Sequence, residues 1–141
     1  MNKSPETESP PGVYFFDPME KRAVETWANS RKLNLLHVDL AGLNNAASVL
    51  RKIGDDLAFP SWYGANFDAL FDYLSDPENF PEAPCLLRID GINVVRLAAP
   101  ETFTTLIEVL DAAISALNDS GTAFWVAIDC PAHGVKRLFP A

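Results

Sequence analysis

Asp68, Asp72 and Asp76 recur every four residues, a spacing that lines three carboxylates along one side of a helix. Two neighbouring carboxylates can do acid–base work on a glycoside or an ester. They can equally present negative charge to a cationic partner. The spacing itself disfavours the helix, because like charges four residues apart repel by about 0.2–0.5 kcal/mol per pair. Asp68 gains from the helix dipole in the first turn, Asp72 does not, and Asp76 at the far end is penalised. No Lys or Arg stands among them to relieve the repulsion; the whole interval between Lys52 and Arg88 has none, while it holds Asp55, Asp56, Asp68, Asp72, Asp76, Glu78 and Glu82. Trp62, Tyr63 and Gly64 stand just ahead, and Asn66 is placed to cap the helix. Two adjacent aromatics on a turn do not both point inward, so at least one is expected beside the carboxylates. An exposed aromatic next to charge makes a binding hot spot.

Other chemistry is thinly represented. The chain contains no GxGxxG, Walker loop, GxSxG or HExxH. Cys130 and His133 lie three apart without a recognisable oxyanion donor. His37 falls inside a strand and reads as a structural histidine. Cys85, Cys130, His37 and His133 have the wrong spacing for a zinc finger, so no metal or cofactor is expected. Cys85 starts one strand and Cys130 follows the end of another, about 15 Å apart in a parallel sheet, and both are expected as free thiols. With 11 basic against 19 acidic residues the formal charge is −8, which argues against a nucleic-acid binder. The apolar runs are too short to span a bilayer, and the polar start Met1–Glu6 does not resemble a secretory signal, so a cytoplasmic protein is expected.

These residues need a frame. Residues 1–11, with three prolines, read as a disordered tail. Val13–Phe16 reads as a strand, and Asp17-Pro18-Met19-Glu20 has the form of a capped helix start burying Ala23, Val24, Trp27 and Ala28. Leu35–Leu40 reads as a strand. Asn44 or Asn45 caps the next helix, with Ala46, Val49, Leu50, Ile53 and Leu57 at helical period. The acidic helix follows, from about Asn66 to Ser75, its buried face made by Phe67, Leu70, Phe71 and Leu74. Pro77, Pro81 and Pro84 interrupt regular structure before a strand at Cys85–Asp90. A turn or short helix around residues 93–97 leads to a long helix that opens at Pro100 and stops at Gly121, and Ala123–Asp129 is the last strand. Strands alternating with helices predict an α/β fold, a small three- to four-stranded parallel sheet with helices on both faces.

The run Phe59-Pro60-Ser61-Trp62-Tyr63-Gly64-Ala65-Asn66-Phe67-Asp68-Ala69-Leu70-Phe71-Asp72-Tyr73-Leu74 resembles the signature of the barstar family of intracellular ribonuclease inhibitors. That family has a Pro, an aromatic pair, then Gly-x-Asn-x-Asp-Ala-x-x-Asp. The order of elements agrees over residues 34–129. The resemblance implies a barstar-like domain at 34–129, an N-terminal strand–helix extension at 12–33 and a C-terminal tail at 130–141. It implies that Asp68 and Asp72 enter a ribonuclease active site, Asp72 taking the place of a substrate phosphate. It gives Trp62 and Tyr63 to the aromatic pair, with Tyr63 stacking near the enzyme's catalytic His. Gly64 and Asn66 match the loop that sets the helix start, and Ser75 stands where the family often has Thr. Asp76 and Pro77 replace the Gly and Trp of the best-known member. A glutamate of the long helix that adds a contact in the family falls near Ala116, with Asp119 close by.

Physical chemistry leads to the same place. A ribonuclease site binds a polyanion and is therefore positive, so a protein that blocks it needs a protruding acidic element. The reading is a non-enzymatic inhibitor or immunity protein that binds a basic nuclease toxin, in a 1:1 complex, through Trp62, Tyr63, Gly64, Asn66, Asp68, Phe71, Asp72, Ser75 and Asp76. Two other readings of the same residues are an acidic module for a basic protein that is not a nuclease, and a small hydrolase using Asp68 and Asp72.

Overall fold

A computed structural model of the chain describes residues 9–140; most of the stretch expected as a disordered tail, residues 1–8, lies outside the described residues. Among the described residues there are five strands: β1 (Val13–Phe15), β2 (Asn34–Asp39), β3 (Cys85–Asp90), β4 (Phe124–Ile128) and β5 (Lys136–Arg137). Five α-helices connect them: α1 (Lys21–Ser30), α2 (Ala46–Asp56), α3 (Phe67–Leu74), α4 (Asn93–Ala98) and α5 (Pro100–Asp119). The sheet has the order β2-β3-β4-β1-β5, and every pairing is parallel.

The central strands β3 and β4 are buried along their whole length, which explains why they read as apolar runs rather than alternating ones. Their side chains divide between two cores. Cys85, Leu87 and Ile89 with Phe124, Val126 and Ile128 face α2, α3, α4 and α5. Leu86, Trp125 and Ala127 face Val24, Trp27 and Ala28 of α1. Helices therefore cover both faces, as expected. The second face is closed by a helix from the N-terminal extension, and β1 of that extension is hydrogen-bonded directly beside β4. On the α1 side β3 also buries charge: Arg88 reaches Glu25 at 2.8 Å and Asp90 at 3.1 Å, and His37 Nε2 lies 2.7 Å from Asp90. His37 is thus held by a structural partner.

Local signals behave as their chemistry dictates. Asp17 and Glu20 form the reciprocal capping box around a 3-10 turn (Pro18–Glu20) that runs into α1. Asn45, not Asn44, caps α2, its side chain accepting the Ser48 amide at 2.9 Å. Cys85 and Cys130 are free and buried.

Three expectations change. Ala23 is exposed, because the helical phase that buries Val24, Trp27 and Ala28 turns its neighbour about 100° away. Ser9 is not loose: it is buried, its hydroxyl donates to the Leu138 carbonyl at 3.2 Å, and its own carbonyl accepts from Trp125 Nε1 at 2.9 Å. The segment after residue 129, expected as a tail, carries β5 beside β1 and buries Leu138 completely, so the sheet has five strands rather than three or four. Lys136 and Arg137 are charged and exposed, and a two-residue strand has no periodicity to read.

Candidate partner-binding site

The acidic helix α3 is short, and its ends are well defined. Asn66 has extended backbone and accepts the Ala69 amide at 2.7 Å, satisfying one of the orphan donors of the first turn. Gly64 lies against this cap; a Cβ there would stand 3.0 Å from the Asn66 side-chain nitrogen Nδ2. Leu70 and Leu74 are buried against the core, each contributing about 1.5–3 kcal/mol, and Phe67 and Phe71 are partly buried. This apolar face packs α3 on α5 and leaves Asp68 and Asp72 on the outside, both exposed. Neither has a basic side chain within ion-pair distance among the described residues.

The aromatic pair ahead of the helix is split. Tyr63 turns inward: its hydroxyl donates to the Leu50 carbonyl at 3.1 Å and its ring meets Phe59 edge-on at 4.8 Å. Burial pushes its phenol up to about 12. The seat for this ring is Gly54 of α2, where a Cβ would stand 2.7 Å from the ring carbons. Trp62 turns outward and is 67 % exposed, with its ring 6.2 Å from that of Tyr73. One ring of the pair is exposed, as the turn required. It is Trp62, however, whereas the resemblance assigned partner stacking to Tyr63. Tyr63 instead ties the loop to α2, and Trp62 is left exposed near Tyr73 of α3.

At the other end of α3, Ser75 is the C-cap and its hydroxyl points back to the Asp72 carbonyl at 3.4 Å. Asp76 is exposed but has a local task, since one of its oxygens accepts the Glu78 amide at 2.9 Å and caps a 3-10 turn (Pro77–Asn79). The carboxylate row is therefore two free groups and one capping group.

A groove of about 610 Å³ runs between α3 and α5. Phe67, Phe71 and Val109 line it, with Asp68 and Asp72 on one side and Glu108 on the other. Glu108, which shares this groove with Asp68 and Asp72, was not singled out by the sequence. The family resemblance put the long-helix carboxylate near Ala116, eight residues further along the helix, about 12 Å. Asp119 lies beside Pro11 and Gly12 instead. Only the packing of α5 on α3 selects Glu108.

Residues 33–129 match the family described as Barstar (barnase inhibitor). The chain belongs to the barstar family. Barstar-family proteins are non-catalytic inhibitors that generally bind a basic ribonuclease. No curated protein matches the chain. The matched range contains α3, the aromatic loop and Glu108; β1, α1 and β5 lie outside it. Among the described residues no helix is long and apolar enough to cross a membrane.

Proposed function

We propose that this barstar-family protein acts in the cytoplasm as the immunity partner of a nuclease toxin. It closes the basic active site of that enzyme, one inhibitor to one enzyme, with the outer face of α3. The observation that carries this reading is the pair Asp68 and Asp72, exposed, one turn apart on α3 and without a basic partner among the described residues, on a helix preceded by an exposed tryptophan. A carboxylate pair that costs helix stability and has no basic partner among the described residues is accounted for by a cation supplied from outside. Trp62 provides the apolar anchor, and Asp68, Asp72 and Glu108 the charge. Phe71 forms the floor of the groove. Gly64, Asn66 and Tyr63 hold the loop and the helix start in place, and Ser75 and Asp76 border the contact at its far end.

The test is capture of the partner from the native cell, followed by titration of its nuclease activity with the pure protein. Stoichiometric loss of activity is expected, with the loss greatly weakened by Asp72→Ala. A captured nuclease inhibited equally by the parent and by Asp68→Ala/Asp72→Ala overturns the reading.

A further inference from the structure

The sheet ends at β2, and that edge is only partly defended. The Asn34 and Leu40 amides bond toward β3, to Pro84 and Asp90, so even-numbered residues of β2 face the sheet. Odd-numbered residues therefore turn their N–H and C=O groups outward. At the top of the strand the outward Asp39 amide is taken by Asp56 at 3.0 Å. At the bottom the Asn34 side chain bonds the Glu82 carbonyl. Between them the outward amides of Leu35 and His37 have no partner among the described residues. Edge strands are ordinarily blunted by a lysine, a proline, a bulge or a covering segment. Here the open stretch is Leu35-Leu36-His37, with Leu35 itself exposed.

A groove of about 310 Å³ lies along this open stretch. Leu57, Tyr73 and Phe80 make its wall, and Glu82 stands at its rim. Asp56 is matched by Lys52 at 2.8 Å, whereas Glu82 has no basic partner among the described residues. The Tyr73 phenol is raised first by burial and then by the charges of Glu82 and Asp76, which marks the local potential as negative.

We propose that the edge of β2 is a second docking surface, taking an extended peptide segment that pairs with Leu35 and His37 and sets a cationic side chain against Glu82. Strand addition supplies main-chain bonds, and alternate side chains fall into the groove. The surface is separate from the outer face of α3 and does not depend on what that face binds. A second copy of this chain fits less well, since it would bring another −8 of charge and a second Glu82 to the same edge.

The probe is a blocked pentapeptide of alternating valine and lysine, at millimolar concentration, added to the full chain. Amide hydrogen exchange is followed residue by residue. With about nine sites in ten filled, the Leu35 and His37 amides should exchange about tenfold more slowly, because only the free form opens to solvent. Leu36 and Val38, already bonded to β3, should not change. A peptide with glutamate in place of lysine should have no effect, and Glu82→Gln should weaken the lysine peptide several-fold. Leu35→Pro removes an outward N–H without touching the ladder to β3, and should abolish the protection while thermal unfolding stays cooperative. The proposal is overturned if the lysine peptide protects neither amide, if both peptides protect equally, or if the two amides become protected with protein concentration alone.

Discussion

Replacing Asp72 by alanine should separate folding from binding. In the free protein the side chain has no ion-pair partner among the described residues, and the Ser75 hydroxyl bonds the backbone carbonyl of residue 72, which the substitution leaves in place. Removing the charge ends the repulsion from Asp68 one turn earlier, worth about 0.2–0.5 kcal/mol. The repulsion from Asp76 is also relieved, though less, because Asp76 lies beyond the helix as the cap of the following turn. Alanine also has the higher helix propensity, by up to about 0.7 kcal/mol per residue. No buried apolar area is lost, because Asp72 is exposed. Unfolding stability is therefore expected to equal the parent or exceed it by up to about 1 kcal/mol. Binding should move the other way. A cation in the partner's cleft is left without its counter-charge, which costs about 2–5 kcal/mol, a magnitude known for buried charge pairs in complexes of this family as in others. Urea denaturation measures the first quantity and titration against the partner nuclease the second. Asp119→Ala removes the same charge from the end of α5, beside Pro11 and Gly12, and should change affinity little. The reasoning is refuted if Asp72→Ala unfolds the protein while the affinity of the folded fraction is unchanged.

Glu108→Gln should lower affinity for the nuclease and flatten its dependence on salt, with an unfolding free energy, measured in urea, within about 0.5 kcal/mol of the parent, as for surface substitutions generally; equal affinity at all salt concentrations removes Glu108 from the site. Gly54→Ala puts a Cβ 2.7 Å from the Tyr63 ring and should expel it, so the Tyr63 hydroxyl loses Leu50 and affinity falls although no contact residue has changed; tryptophan fluorescence should report the altered setting of Trp62. The Cys85 and Cys130 thiols are pushed by burial from an ordinary 9.0 to about 12 and about 11, and the Tyr63 phenol from 10.0 to about 12. Their neutral forms are favoured by folding, so this contribution is complete below the ordinary values and is lost as pH rises from about 9 toward 12. The urea midpoint should fall over that range, and both thiols should resist a thiol reagent at neutral pH until the chain unfolds; rapid native labelling would contradict their burial.

The parts of this protein legible in sequence are those governed by neighbours within a turn. The Asn66 cap, the Leu70 and Leu74 face, the exposed Asp68 and Asp72, and the box of Asp17 and Glu20 follow from the helical period and from side chains bonding amides two or three residues away, and the central strands β3 and β4 from their continuous apolar runs. The parallel order of elements follows as well, since strands separated by helices can return only by crossovers. Tertiary packing decided the rest. Trp62 and Tyr63 are equivalent on a turn until Gly54, on another helix, opens a space for one ring and sends the other into solvent. Glu108 and Ala116 lie on the same side of one helix, and only the height at which α5 crosses α3 picks the carboxylate that joins Asp68 and Asp72. Lys136 and Arg137 form a strand only because β1 already offers its edge, and Arg88 and Asp90 can be buried only because α1 brings Glu25 over them. Each of these depends on atoms far apart in the chain, and the local pattern around each residue is the same whichever way the packing falls.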